Sequence, residues 1–317
     1  MDQDDFALVA HGGAGKWRKD KQTRALEGLE SAVRNGRDQL ATGGTALDTA
    51  EQVVTDLENN PVFNAGTGSS LNLDGEIEMD ASIMNGERRT AGAVAGLRDV
   101  KNPIQVARKV MTETDHVMLS GEGALRFARA MGFESHDCMT EQSQKTYEKK
   151  KKDIKSGERR YSFPNMPELL EKYPELEKGT VGAAVRDRDG RFAAATSTGG
   201  LILQLAGRVG DTPIPGAGTY ATKSSAASAT GQGELVMRML STRMICESIE
   251  SGLSPQEAVE DCIAEMKQTV GADSGFIAVG PGCKIGLEHD SPHMPHAYCS
   301  RSDSTVSVGL ETDNYTP

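Results

Sequence analysis

Apolar and polar positions follow two periods along this chain, and each change of period marks an element. Residues 6–10 (FALVA) are a continuous apolar run, the pattern of a buried strand, and lead into His11-Gly12-Gly13-Ala14-Gly15. Over residues 23–41, Leu26, Leu29, Val33 and Leu40 recur at helical spacing, and Gly44 precedes a second helix from Thr45 to about Leu57. Pro61 and the glycines of NAGTGSS mark a loop. LNLDGEIEMD reads as a hairpin turning at Asp74-Gly75, and AGAVAGL as another strand. Pro103 opens a helix running to about Met111, and a further helix covers residues 122–131.

The periodicity then lapses. Residues 140–178 hold KKKKDIK, GERR and three prolines with little apolar recurrence, which reads as a mobile linker. The lysine run has the charge to meet nucleic acid or an acidic partner. It is short and lacks interleaved aromatics, so a solvated linker is the simpler expectation.

Order returns at Gly179. Residues 180–187 and 191–197 predict two strands around an Asp189-Gly190 turn, and SSAASA (224–229) a short strand. Helices are expected over about 232–250 and 255–269. The second opens with Ser254-Pro255-Gln256-Glu257, a capping-box spacing with proline at the first helical position. FIAVG and residues 284–288 close the pattern with a hairpin. Strands in both halves with helices clustered between them predict an α+β chain, two sheets covered by helices in a four-layer αββα sandwich.

Composition narrows the function. The net charge of −11 over 317 residues opposes nonspecific nucleic-acid binding. Five scattered cysteines (Cys138, Cys246, Cys262, Cys283, Cys299) are an odd number with no C-x-x-C pair, so reduced thiols in a cytoplasmic protein are expected. The acidic MDQDDFALVA is not a secretory leader, and no run approaches the ~18 apolar residues of a membrane span.

The candidate chemistry centres on Gly179-Thr180. A threonine hydroxyl is a poor nucleophile without a base. Cutting the Gly179–Thr180 bond would free an α-amino group, which ordinarily titrates near ~8, beside that hydroxyl. One residue would then carry nucleophile and base. Gly179 lacks a Cβ and suits a strained scissile position. Arg208 and Asp211, three apart in GRVGD, match the carboxylate and ammonium of an amino acid, although a surface ion pair is the blander reading. Thr230-Gly231-Gln232-Gly233 offers backbone N–H groups for an oxyanion, or a simple helix cap. HGGAGK is no Walker loop, because Trp17 follows Lys16 and position 10 is Ala. It also lacks the G-x-S-x-G partner of an esterase, which leaves a tight turn or an indirect active-site role.

These pieces occur together in one order. HGGAG (11–15), FNAGTGS (63–69), MDASIMNG (79–86), GTVGAAV (179–185), ATSTGG (195–200), GRVGDTPIPGAGTYA (207–221) and TGQGE (230–234) resemble the plant-type asparaginase and isoaspartyl-peptidase family of N-terminal-nucleophile hydrolases. The resemblance spans most of the chain outside the linker. It implies the αββα fold and self-cleavage into an α subunit (1–179) and a β subunit (180–317) that form one folded domain. It also implies hydrolysis of asparagine and β-aspartyl peptides. Thr180 is then the nucleophile and Thr198 the hydroxyl beside its amine. Arg208 holds the substrate carboxylate and Asp211 its ammonium group, within a pocket formed by Arg208, Val209, Gly210 and Asp211 together with Thr230, Gly231, Gln232 and Gly233. Thr230 and Gly231 form the oxyanion site, and Asn64 orders the nucleophile.

The resemblance further implies no organic cofactor. It implies a structural sodium ion on backbone carbonyls of Leu57, Glu58, Asn60, Phe63, Ala65 and Thr67, and a homodimer of αβ units. Residues 201–206, LILQLA, depart from the lysine and proline many relatives carry there, which bears on the pocket rim. A glycosylasparagine hydrolase and a noncatalytic, uncut binding protein are the competing readings.

Overall fold

The computed structural model describes residues 5–155, 179–271, 273–300 and 305–312. The first half runs β1 (Ala7–His11), α1 (Lys19–Ala41), α2 (Ala46–Glu58), β2 (Met79–Asn85), β3 (Thr90–Leu97), α3 (Pro103–Glu113), β4 (Met118–Ser120), α4 (Gly121–Ala130) and α5 (Glu141–Lys155). The second half runs β5 (Thr180–Arg186), β6 (Phe192–Thr198), β7 (Thr219–Ala221), β8 (Ala226–Gly231), α6 (Gly233–Met239), α7 (Ser241–Glu250), α8 (Pro255–Thr269), β9 (Ser274–Val279), β10 (Ile285–His289), β11 (His296–Ser300) and β12 (Ser307–Gly309).

Two sheets form. The larger has the order β12-β11-β1-β5-β6-β2-β3-β4, and the smaller β10-β9-β8-β7. Strand alternation sorts side chains into layers. Leu8 and Ala10 of β1 and Val181, Ala183 and Val185 of β5 face α1, α2 and α3 in one apolar cluster. Ala7 and Val9 of β1, Ala184 of β5 and Ala194 of β6 turn the other way and meet Ala226, Ile277, Val279 and Leu287 of the smaller sheet. The far face of that sheet, through Ala227, Ala229, Phe276 and Ala278, packs on Ile245, Val259, Ile263 and Met266 of α7 and α8. The chain is therefore mixed α+β, with two sheets flanked by helices.

Local chemistry accounts for the element ends. Thr45 caps α2, its side chain accepting from the Asp48 N–H. The capping box at Ser254 and Glu257 is complete, with Pro255 in the first turn of α8. The helix expected over 232–250 is broken at Leu240, which sits at φ 50°. The N–H groups of Thr242 and Arg243 go instead to the carbonyls of Ala217 and Gly216, at 3.3 and 2.9 Å. Those tertiary bonds start a new helix rather than continuing the old one. The LNLDGEIEMD hairpin is reduced to a turn and a single bridge, Leu71 to Ile77, because Asn72 folds back on the N–H groups of Asp74 and Glu76.

The linker expected over 140–178 is corrected in its first part. Residues 141–155 are helix α5, and 156–178 lie outside the described residues. Glutamine, glutamate and lysine are good helix formers, so weak apolar periodicity does not forbid a helix. Thr140 and Ser143 exchange side-chain-to-backbone hydrogen bonds at its start, both 3.0 Å. A Glu141–Lys145 pair supports the first turn. One apolar anchor docks it: Tyr147 packs on Leu71, Ile202 and Leu203 and donates to the Leu73 carbonyl at 3.2 Å. The divergent LILQLA loop thus supplies the bed for α5.

Candidate active site

Thr180 opens β5 and lies directly opposite Thr198, the last residue of β6. Both share the strand face that looks toward the smaller sheet, so their hydroxyls meet: Thr180 Oγ1 donates to Thr198 Oγ1 at 3.2 Å. Thr198 Oγ1 in turn donates to the Gly179 carbonyl at 3.3 Å and accepts from the Gly200 N–H at 3.1 Å. Both threonines are buried. A hydroxyl and the carbonyl of the preceding residue are thus coupled through one shared partner.

The Gly179–Thr180 junction is gripped from two sides. Gly13, at φ +111°, approaches so closely that a Cβ there would lie 2.7 Å from Gly179 Cα and 3.2 Å from Thr180 N. This gives His-Gly-Gly its indirect role: the loop after β1 presses its backbone on the junction. On the other side, a Cβ on Gly179 would lie 2.8 Å from Asn64 Cβ. Asn64 is itself fixed, its Nδ2 donating to the Gly200 carbonyl and its Oδ1 accepting from the Ser70 N–H, both at 2.7 Å. Burial pulls His11 down to about 3, so its imidazole stays neutral, bonded through Nε2 to Ser228 Oγ at 3.0 Å.

A second group assembles beside the first. Arg208 and Asp211 converge over Gly233, where a Cβ would meet Asp211 Oδ1 at 2.7 Å and Arg208 Nη2 at 2.9 Å. Asp211 is buried, and its Oδ2 has no hydrogen-bond partner. Desolvation raises its pKa to about 7 even though Arg208 pulls the other way. A buried carboxylate oxygen with an open valence suits a cationic ligand. Arg208, however, already forks onto Glu234, with Nε and Nη2 each 2.9 Å from a carboxylate oxygen. An incoming carboxylate must share or displace that bond.

Thr230, on β8, accepts from the Ala14 N–H at 3.1 Å, which ties it to the same glycine loop that holds Gly179. Gly231 follows at φ +128°, where a Cβ would strike Asp273 O at 2.4 Å. Gln232 caps α6 and gives its N–H to Asp273 O. Val209 and Gly210 lie on the loop between Arg208 and Asp211, with Gly210 N donating to Asp80.

Sequence reasoning passed over three side chains, Glu58 having been named only for its backbone carbonyl. Asp80, the register partner of Thr198 on β2, accepts from Gly96 N at 2.8 Å and Gly210 N at 3.2 Å, and so links β2, beside Thr198, to the Arg208–Asp211 loop. Burial raises it to about 6. Glu58, fully buried at the end of α2, accepts from Ser197 Oγ at 2.6 Å, Ile104 N at 3.0 Å and Asn102 Nδ2 at 3.1 Å. Burial pushes its carboxyl up to about 8. Ser274 has a buried hydroxyl without a partner, 3.0 Å from the place a Gly231 Cβ would take. The sequence signals were an acid inside an apolar strand, MDASIM, and an acid closing an apolar helix.

The loop from Leu57 to Gly68 curls on its own carbonyls. Glu58 O accepts from Thr67 N at 2.8 Å and Asn60 O from Phe63 N at 3.1 Å, and a Cβ on Gly68 would meet Pro61 O and Phe63 O at 2.8 and 2.9 Å. Among the described residues no group of three or more His, Cys, Asp or Glu is placed to hold a metal, and no helix is long and apolar enough to cross a membrane. The five cysteines are buried thiols, and none is joined in a disulfide.

Known proteins match this chain over nearly its whole length. A family model described as Asparaginase matches residues 4–308. A plant-type L-asparaginase of Pyrococcus furiosus is 46% identical over 307 residues, covering 96% of this chain and 99% of that protein. One from Thermococcus kodakarensis is 45% identical over 307 residues, with the same coverage. An isoaspartyl peptidase/L-asparaginase of Xenopus laevis is 41% identical over 314 residues, covering 98% of this chain and 97% of that protein.

Proposed function

This chain belongs to the asparaginase family, and from that premise we propose how its residues carry out the family reaction. The protein is an L-asparaginase and isoaspartyl peptidase, an enzyme whose chemistry needs no organic cofactor. The observation that carries the mechanism is the pair of short links from Thr180 Oγ1 to Thr198 and from Thr198 to the Gly179 carbonyl.

In the first stage the Thr180 hydroxyl attacks the Gly179 carbonyl carbon. Thr198 donates to the carbonyl oxygen, and Gly13 and Asn64 hold the junction from either side. The hydroxyl proton passes to the departing nitrogen as the C–N bond breaks, which leaves an ester on Thr180 Oγ1, and water opens it. The products are a Gly179 carboxylate ending the α subunit and a free amine on Thr180, which begins the β subunit. The two subunits remain one folded domain, a four-layer αββα sandwich of the N-terminal-nucleophile kind. The three stacked apolar layers support that reading.

In the second stage the freed amine takes the Thr180 hydroxyl proton. The oxygen attacks the side-chain amide of asparagine or the β-peptide carbonyl. Asp211 receives the substrate ammonium on its open oxygen, and Arg208 its carboxylate, alongside Glu234. Thr230 and the Gly231 N–H stabilise the tetrahedral oxyanion, where one donor is worth ~3 kcal/mol. Ammonia or an amino compound leaves with the returned proton, and water hydrolyses the β-aspartyl ester. A sodium ion on the carbonyls of Leu57, Glu58, Asn60, Phe63, Ala65 and Thr67 would stiffen the loop carrying Asn64 and take no part in proton transfer. The working unit is a cytoplasmic homodimer of αβ pairs.

Thr180→Ala tests the assignment. It should abolish both chain cutting, read by intact mass, and release of ammonia from asparagine. Normal turnover by that variant would remove Thr180 from the mechanism.

A further inference from the structure

Five polar side chains lie in the apolar layer between the two sheets, and the strand register explains how they meet. Ser82 of β2 is paired with Thr196 of β6, Thr196 with Gly182 of β5, and Gly182 with His11 of β1, so the four form one row across the larger sheet. Thr219 of β7 and Ser228 of β8 are paired in the smaller sheet. By strand parity these side chains share the inward faces of Met84, Ala194, Val9, Ala221 and Ala226. Gly182 makes the space, since a Cβ there would strike Ser228 Oγ and lie 2.6 Å from His11 Nε2. The polar groups then join end to end. His11 Nε2 is 3.0 Å from Ser228 Oγ, and Ser228 Oγ is 2.8 Å from Thr196 Oγ1. Thr196 Oγ1 is 2.6 Å from Thr219 Oγ1, which is 2.7 Å from Ser82 Oγ. All five residues are at most 1% exposed.

Polar groups buried among alanines and valines are tolerated only when each finds a partner, so the row holds because it is complete. Its two ends reach the site already described. His11 leads into Gly12 and Gly13, and Gly13 closes on the Gly179–Thr180 junction. At the other end Ser82 Oγ donates to the Thr212 carbonyl at 2.6 Å, while Asp80, two residues earlier on β2, accepts from Gly210 N at 3.2 Å. Asp211 therefore sits between two points pinned to one strand. Thr196 steadies the same loop further on, donating to the Gly218 carbonyl at 3.2 Å, and Gly218 N returns to the Asp211 carbonyl at 3.1 Å. Asp211 Oδ2 has no hydrogen-bond partner to aim it, so the backbone on either side sets its direction. We propose that the row is a positioning device for substrate recognition: Ser82, held in turn by Thr219, fixes the Thr212 carbonyl and so aims the Asp211 carboxylate at the substrate ammonium group. The inference rests on the reading of Asp211 as the ammonium ligand.

The test measures asparagine kinetics on full-length cut protein, together with competitive inhibition by L-aspartate and by succinate, which is aspartate without its amino group. Ser82→Ala is expected to raise KM about tenfold, equivalent to ~1.4 kcal/mol, with kcat within about twofold of the parent. The advantage of aspartate over succinate as an inhibitor should fall by the same factor, because only the ammonium contact is lost. Thr219→Val, which keeps the shape and removes the hydroxyl, should shift both quantities in the same direction by about fivefold. Thr219→Ser, which keeps the hydroxyl, should restore the parent values. The Ser82 and Thr219 variants each carry the test alone, so a folding failure in one leaves the other to decide. Parent values of KM and of the inhibitor ratio in a folded Ser82→Ala or Thr219→Val protein overturn the proposal, even if its stability falls. So does an equal weakening of aspartate and succinate. Failure of the underlying reading is a separate result: in the parent protein itself, aspartate would then bind no better than succinate.

Discussion

Replacing Asp211 with asparagine should make the protein more stable at alkaline pH and nearly inactive. The carboxylate is buried, one oxygen has no partner, and desolvation lifts its pKa from 3.8 to about 7. At 1.36 kcal/mol per pH unit of separation, the ionised form costs the folded state about 4 kcal/mol at pH 8 relative to the unfolded chain. The raised value sets the sign: the cost is absent below the unfolded pKa and fully present above the folded one. An asparagine amide keeps an imperfectly bonded polar group buried and gives back about 2 kcal/mol of that relief. The variant is therefore expected to gain about 2 kcal/mol at pH 8, a few degrees in melting temperature. The gain should fall as pH drops, and the two proteins should cross near about pH 5.5, where half the cost is gone. Melting curves of both proteins from pH 5 to 8 test this, with asparagine kinetics alongside. KM should rise about 100-fold for the variant, the loss of a charged hydrogen bond of ~2–3 kcal/mol. A variant less stable than its parent at pH 8, or offset by the same amount at every pH, would rule out a strained, desolvated carboxylate at this position.

Other perturbations have expected outcomes of their own. Gly13→Ala places a Cβ 2.7 Å from Gly179 Cα at a φ of +111°, so the uncut chain should accumulate, as seen by intact mass over time. Glu58→Leu leaves Ser197 Oγ, Ile104 N and Asn102 Nδ2 without their acceptor and should cost about 3 kcal/mol in denaturant unfolding, with Glu58→Gln costing clearly less. Asp80→Ala frees the Gly210 N–H and slackens the Arg208–Asp211 loop, so steady-state kinetics should show a larger change in KM than in kcat.

The reacting groups were legible because their chemistry is written locally. Thr180 and Thr198 end strands of matching parity, so facing hydroxyls follow from a two-residue period. Arg208 and Asp211 lie close in sequence and meet because Gly233 leaves room between them. What escaped the sequence depends on distant partners. Glu234 was read only as part of TGQGE, yet it holds the Arg208 fork. Glu58 and Asp80 are acids whose roles appear only when Ser197, Ile104 and Gly210 arrive from other elements. The break at Leu240 comes from the carbonyls of Gly216 and Ala217, and α5 from a single tyrosine finding a distant apolar bed. Strands β11 and β12 carry short, polar-rich sequences that become strands because β1 offers an edge to β11, and β11 in turn one to β12.

On this mechanism the backbone nitrogen of Thr180 becomes a base only when its bond to Gly179 is cut. Freshly purified uncut protein can be incubated and sampled over time, with the cut fraction read by intact mass and the initial rate of ammonia release from asparagine read on the same samples. The expected outcome is a rate proportional to the cut fraction, extrapolating to zero for the intact chain. A substantial rate at zero cut fraction, or a rate indifferent to cutting, is incompatible with a threonine that supplies its own base.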